Sequence, residues 1–238
     1  RWGLPLLFLL LIGLAVWAAG LDSAGEGYRT FLLRWDTAEL INPTTIRNAF
    51  TQAFFSIGTG IGCILAYAAY LDRRAHLPRE AVAVVGMDTA VGILAGMVTF
   101  PVVMSFGLEE VISGSTLGTI FIALPTGLAS LGTAGQLVAV LFFALALIAA
   151  ITSAVSLLEV PAACLIDRLG WSRSRAVWLS AALIFVAGLP AATSMEVLGW
   201  MDSVFGGLLL ILGGLLLALL LGWVVPNRFE DDLAQPKT

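Results

Sequence analysis

The chain has 238 residues, of which 59% are hydrophobic and only 12% charged, with a mean hydropathy of +0.98. Soluble domains run at about 45–50% apolar and about 25% charged, so an ordinary globular protein is excluded, as are a disordered chain and a collagen-like fibre. The formal charge of −4 says little about partners, because membrane orientation follows where Lys and Arg sit, and no basic stripe points to nucleic acid.

A bilayer core of about 30 Å takes about 20 helical residues to cross. Apolar stretches of that order run over Trp2–Leu21, Thr44–Leu71, Ala81–Gly107, Ala134–Ile166, Arg175–Ala192 and Val197–Val225. They predict an all-α integral membrane protein with six transmembrane helices, residues 1–225 forming a single transmembrane domain. The first stretch begins directly after Arg1 with no Met, is too long for a signal h-region and lacks a convincing cleavage site, so a fragment or a processed chain is expected.

The connections alternate in charge. The one from Asp72 to Glu80 carries Arg73, Arg74 and Arg79, and the one from Asp167 to Ser174 carries Arg168 and Arg173. The connections from Leu108 to Thr133 and around Glu196 have no basic residue. The basic connections therefore face the cytoplasm, which puts both ends of the chain there and makes 226–238 a cytoplasmic tail. The extracellular connection 108–133 contains Gly118–Leu131, GTIFIALPTGLASL, apolar but interrupted by Pro125 and Gly127. It is either a short re-entrant helix over the extracellular mouth or a plain interfacial loop.

The second stretch is unusual inside. Gly58, Gly60 and Gly62 alternate there, with Ser56 and Thr59 among them. Each interior glycine costs a helix up to about 1 kcal/mol relative to Ala, and alternate spacing does not match a GxxxG face. One reading is a helix unwound at mid-membrane, whose freed carbonyls and hydroxyls must line a polar cavity; the other is close helix packing through small residues. Asp88 in the third stretch and Glu159 in the fourth, near Pro161, are ionisable groups of the kind that marks ion paths, unless they lie nearer the interface. Thr152 and Ser153 beside them suit a small hard cation, although hydroxyls in membrane helices commonly bond back to their own carbonyls. Cys63 and Cys164 read as small packing residues. His76 is the sole histidine, so no zinc or iron set exists, and without a GxSxG motif no enzyme is expected.

Taken in order, several of these segments resemble the neurotransmitter:sodium symporter family, specifically its bacterial amino-acid transporters. QAFFSIGTGIGCILAYAAY, Gln52–Tyr70, is similar to the family's sixth transmembrane helix. Asp88-Thr89 with Leu94–Pro101, LAGMVTFP, is similar to the seventh, GTIFIALP to the fourth extracellular loop, Ile151–Ser153 to the sodium-binding stretch of the eighth, and Met201-Asp202 to the start of the tenth. The resemblance implies the second half of a 5+5 inverted-repeat transporter: helix five plus the second repeat, with the first four helices missing from this chain. Those missing N-terminal helices would then be its partners, along with the lipid bilayer, sodium ions and an amino-acid substrate, in a bacterial inner membrane.

The resemblance also implies residue roles. Ser56 and Asp88 fall at a first sodium site, and Ala149 (through its carbonyl), Thr152 and Ser153 at a second. Phe55 matches a lid over the substrate; Ile57, Gly58, Gly60, Ile61, Ser156 and Leu157 match the pocket around its side chain. Asp202 matches the acidic half of an extracellular gate, and Tyr67, Tyr70, Glu159 and Asp167 fall around a cytoplasmic gate. Two departures stand out. Asp88 replaces the amide that animal members place beside chloride, and Gly92 a chloride-site serine, which implies sodium use with no chloride requirement. Gly58 and Ile61 replace larger or hydroxyl-bearing residues, which leaves room for a neutral, hydrophobic or aromatic amino acid. The expected activity is sodium-coupled symport by alternating access. The alternative is a non-transporting membrane regulatory or scaffold subunit that keeps the fold.

Overall fold

The computed structural model describes residues 3–68, 70, 76–110 and 119–224; the stretch 226–238, part of the connection 108–133, and Arg73 and Arg74 lie outside the described residues. Every regular element among the described residues is helical. In chain order they are α1 (Gly3–Ala18), α2 (Ala24–Tyr28, running on as a π-helical turn Arg29–Leu33), α3 (Thr37–Leu40), α4 (Pro43–Ile57), α5 (Cys63–Ala68) and α6 (Leu77–Phe106). Then follow a π-helical turn Thr119–Ala123 with α7 (Leu124–Ala129), α8 (Gly132–Leu169), α9 (Arg173–Thr193), α10 (Met195–Met201) and α11 (Leu210–Leu219). The π-helical stretch Asp202–Leu209 joins α10 to α11, and a second one, Leu220–Val224, follows α11.

Among the described residues, four rods are long and apolar enough to cross a bilayer: Leu77–Phe106, Gly132–Leu169, Arg173–Thr193 and Met195–Val224. Between 6% and 11% of each apolar window is buried. Their exposed Leu, Val and Phe side chains are surfaces that a membrane-spanning helix presents to lipid or to neighbouring helices. α8 has 38 residues, about 57 Å at about 1.5 Å per residue, and so outruns a bilayer core. Pro101, Pro161 and Pro190 sit inside α6, α8 and α9 without ending them. The first expected span corresponds to α1, with an apolar part Pro5–Ala18, and the second is divided between α4 and α5.

Contacts group the chain into two units, Arg1–Asp36 with Met87–Thr152 and Thr37–Gly86 with Ser153–Thr238. In the first, Leu14, Ala15, Val98 and Leu128 form a buried cluster, ringed by Leu10, Trp17, Leu94 and Phe142. The connection after α1 is pressed onto α6: Phe31 stacks on Phe100 at 4.8 Å, and a Cβ on Gly27 would lie 2.6 Å from the Pro101 nitrogen. Thr119–Ala129 is a π-helical turn running into the short helix α7, with Leu128 fully buried.

In the second unit, Asn42 starts α4 by accepting the Thr44 N–H on its side-chain oxygen at 3.0 Å, with Pro43 at the first helical position. α4 packs against α11 and the π-helical stretch before it. Ser194 alone turns the chain between α9 and α10, its hydroxyl accepting from Val197 N–H at 3.4 Å. Glu196, expected in a loop, therefore lies in the first turn of α10.

Candidate functional site

The segment between α4 and α5 is a turn built on glycine geometry. Gly58 has φ 75° and Gly62 φ 82°, left-handed values that a side chain disfavours. Gly58 N–H and Thr59 N–H both return to the Phe54 carbonyl, at 2.9 and 3.2 Å, which closes α4. Regular helix resumes at Cys63. The Thr59 hydroxyl is buried and has no hydrogen-bond partner among the described residues. Ile57, Gly58, Gly60 and Ile61 thus lie in succession across the interruption. Phe55 and Ser56 are exposed on the last turn of α4.

Beyond the interruption the contacts are polar. Cys63 Sγ lies 3.8 Å from the Ser156 carbonyl, and the Tyr67 hydroxyl is 2.6 Å from Ser156 Oγ. Tyr70 donates to Glu159 Oε1 at 2.9 Å. Arg173 grips the same carboxylate with both arms, at 3.1 Å to Oε1 and 2.8 Å to Oε2. The Glu159 side chain is 12% exposed and that of Arg173 63%, so the carboxylate is withdrawn while the guanidinium stays wet. A cavity of about 500 Å³ opens beside them, lined by Leu65, Tyr70, Glu159, Val160, Asp167 and Arg173.

The structure therefore brings together Tyr67, Tyr70, Ser156 and Glu159, with Asp167 exposed on the same cavity. Ser156, expected at the substrate, is hydrogen-bonded to Tyr67. Ala149, Thr152 and Ser153 occupy one turn of α8, where Thr152 Oγ1 donates to the Ala149 carbonyl at 2.7 Å. Two of the oxygens expected at one ion thus bond to each other. Ser56 and Asp88 stand on different elements in different units, with Asp88 half-buried on α6. Leu157 is exposed, as is Asp202, which opens the π-helical stretch rather than a helix start. Arg173 escaped sequence reasoning, because it lies fourteen residues beyond Glu159 and across a chain reversal. Its one signal was a basic loop, which had been read only as an orientation marker.

The sequence profile of the Sodium:neurotransmitter symporter family matches residues 4–236. The chain belongs to this family. It is 31% identical to an uncharacterised sodium-dependent transporter of Haemophilus influenzae over 98% of this chain and 52% of the relative. It is 36% identical to the uncharacterised sodium-dependent transporter YhdH of Bacillus subtilis over 82% of this chain and 42% of the relative. Against the crystal structure of MhsT in complex with L-phenylalanine, the fold aligns with a TM-score of 0.90 and 35% identity, covering 100% of this chain and 56% of that one. The chain spans about half the length of these relatives and corresponds to the family's C-terminal part. Its apolar rods are accordingly those of a multi-pass membrane protein, and its relatives are transporters rather than enzymes.

Proposed function

We propose that this chain is the helix-five-to-ten part of a sodium-coupled symporter that moves a neutral, hydrophobic or aromatic amino acid by alternating access, without requiring chloride. The observation that carries this reading is the interruption between Ile57 and Cys63, in a chain with rods long and apolar enough to cross a bilayer. Backbone released from a helix at membrane depth is tolerated where it lines a polar cavity, and it offers carbonyls there. In this reading the six expected spans form one transmembrane domain, the unwound helix lies at mid-membrane, and both ends face the cytoplasm of a bacterial inner membrane.

The donor set suits an alkali cation as cargo. Ser56, Thr152 and Ser153 supply hydroxyls, Asp88 a carboxylate and Ala149 a carbonyl, all hard oxygens. In the bond from Thr152 to the Ala149 carbonyl each oxygen keeps a lone pair for sodium, so the pair can serve one ion while hydrogen-bonded. Phe55, Ile57, Gly58, Gly60, Ile61, Ser156 and Leu157 then enclose the substrate side chain. Asp202 gates from outside; Tyr67, Tyr70, Glu159 and Asp167 gate from inside. The carboxylate of Asp88 supplies the negative charge that chloride provides elsewhere in the family. A relative that binds L-phenylalanine and a sodium-dependent nutrient amino acid transporter of Drosophila ananassae, 31% identical over 63% of this chain and 24% of the relative, support the substrate class.

The test is uptake of labelled phenylalanine by the complete transporter that contains this chain, reconstituted into liposomes. A sodium gradient should drive uptake, a potassium gradient should not, and replacing chloride with gluconate should change nothing. Loss of uptake in gluconate would remove the chloride clause. Competition by a charged or very small amino acid over leucine or tryptophan would overturn the substrate class, and uptake indifferent to sodium would overturn the whole reading.

A further inference from the structure

We propose that Gly213 on α11 is the positioning residue that seats the interrupted segment of the substrate-binding helix. A Cβ built on Gly213 would run into the Gly60 carbonyl oxygen, and one built on Gly60 would run into the Leu210 carbonyl oxygen. In each glycine a hydrogen stands where that Cβ would be. The two Cα–H groups are therefore aimed at carbonyls across the interface, a reciprocal pair of Cα–H···O contacts of the kind seen where helices approach closely. Phe54, on the last turns of α4, closes the seat from one side: its ring edge lies 2.7 Å from where a Gly214 Cβ would sit.

Leu210, Gly213 and Gly214 are spaced i, i+3 and i+4 and so share one face of α11. The π-helical stretch Asp202–Leu209 just before them resets the angular register of the rod, because a π turn takes extra residues relative to an α turn. In that register Leu210 and Gly213 lie against Gly60, and Gly214 lies against the Phe54 ring. The seat joins the segment carrying Gly58, Gly60 and Ile61 to the rod carrying Asp202. No ion or substrate atom touches Gly213; its effect on binding runs through Gly60, and that consequence rests on the transport reading.

The experiment uses Gly213→Ala in the complete transporter, with Gly222→Ala as control, since a Cβ at Gly222 meets nothing within 4 Å. Alanine is the better helix former, so a defect in Gly213→Ala does not come from propensity. Two readings are taken: the sodium-dependent Kd for labelled phenylalanine, and the rate at which N-ethylmaleimide labels Cys63, followed by mass spectrometry of its peptide. Cys63 is buried at the first residue after the turn, so displacement of the turn unmasks it. Gly213→Ala should raise Kd by at least about tenfold, or about 1.4 kcal/mol, and speed Cys63 labelling several-fold, while the control does neither.

Faster labelling with unchanged Kd, or a raised Kd with unchanged labelling, overturns the proposal, since the effect would then not run through the turn. If the wild type binds no amino acid with sodium, the transport reading fails, and labelling alone decides whether Gly213 seats the turn. Should Gly213→Ala not accumulate, the same two readings on Gly214→Ala decide, its methyl meeting the mobile Phe54 ring instead of backbone.

Discussion

The two sides of the interrupted helix are held by different forces. On the α4 side, Gly60 and Phe54 meet α11 through backbone and ring contacts that leave no room for one added methyl. On the α5 side, Tyr67 and Tyr70 reach α8 through hydroxyls, and Arg173 completes the set from the next helix. Short-range repulsion rises steeply with displacement, so the first side has one position. Hydrogen bonds of exposed side chains exchange with water at a net cost of about 1 kcal/mol each. The first side is fixed by repulsion, as a seat, and the second by exchangeable hydrogen bonds, as the latch that the proposed alternating access would use on the far side of the turn between Gly58 and Gly62.

The largest effect should come from attacking the seat. Gly60→Ala places a methyl on the Leu210 carbonyl; overpacking of this kind costs about 1–3 kcal/mol, and phenylalanine affinity should fall by about 5- to 150-fold. Wild-type affinity in that variant would dissolve the contrast. Next comes the latch. Arg173→Gln leaves the Glu159 carboxylate, 12% exposed, without its fork, so maximal uptake should change several-fold while the KM for substrate stays within about twofold, as expected of a group that acts on opening rather than on binding. A KM shift equal to that of Gly60→Ala would place both sides in the same role.

Tyr70→Phe removes one of the donors to Glu159 and should act in the same direction as Arg173→Gln, by no more than about 1 kcal/mol; an effect larger than that of Arg173→Gln would reverse their ranking. The smallest effect is reserved for Asn42→Ala, which removes the cap of α4. It should lower thermal stability by about 0.5–2 kcal/mol and leave both Kd and uptake rate unaltered; a change in Kd would mean that the seat depends on the far end of α4.

Much of the site was legible because it is local in the chain. The glycines at 58, 60 and 62 singled out the segment by their spacing, with an interruption as one of two readings, and Ala149, Thr152 and Ser153 come together because one helical turn places them so. Tyr67 and Tyr70 are likewise one turn apart, facing α8. Arg173 was not legible, since its partner Glu159 lies beyond the turn at Gly170–Ser172, and no helical period connects them. Nor was the bond that ties Ser156 to Tyr67, because a serine that lines a pocket and one that bonds a tyrosine have the same sequence signature. Gly213 and Gly214 lie in an apolar run whose neighbours carry no sign of the turn they pack against.

Apolar periodicity and length by themselves determined that this is an all-helical membrane protein, since lipid demands that each crossing satisfy its own backbone. The alternate glycines left two readings open, an interruption or close packing; the structure ends α4 at Ile57, with Gly58 and Gly62 at φ values that only a residue without Cβ takes freely. Which face α11 turns toward that stop was decided only in three dimensions. The π-helical stretch before Leu210 rotates the rod, and hydropathy is blind to rotation when every face is apolar.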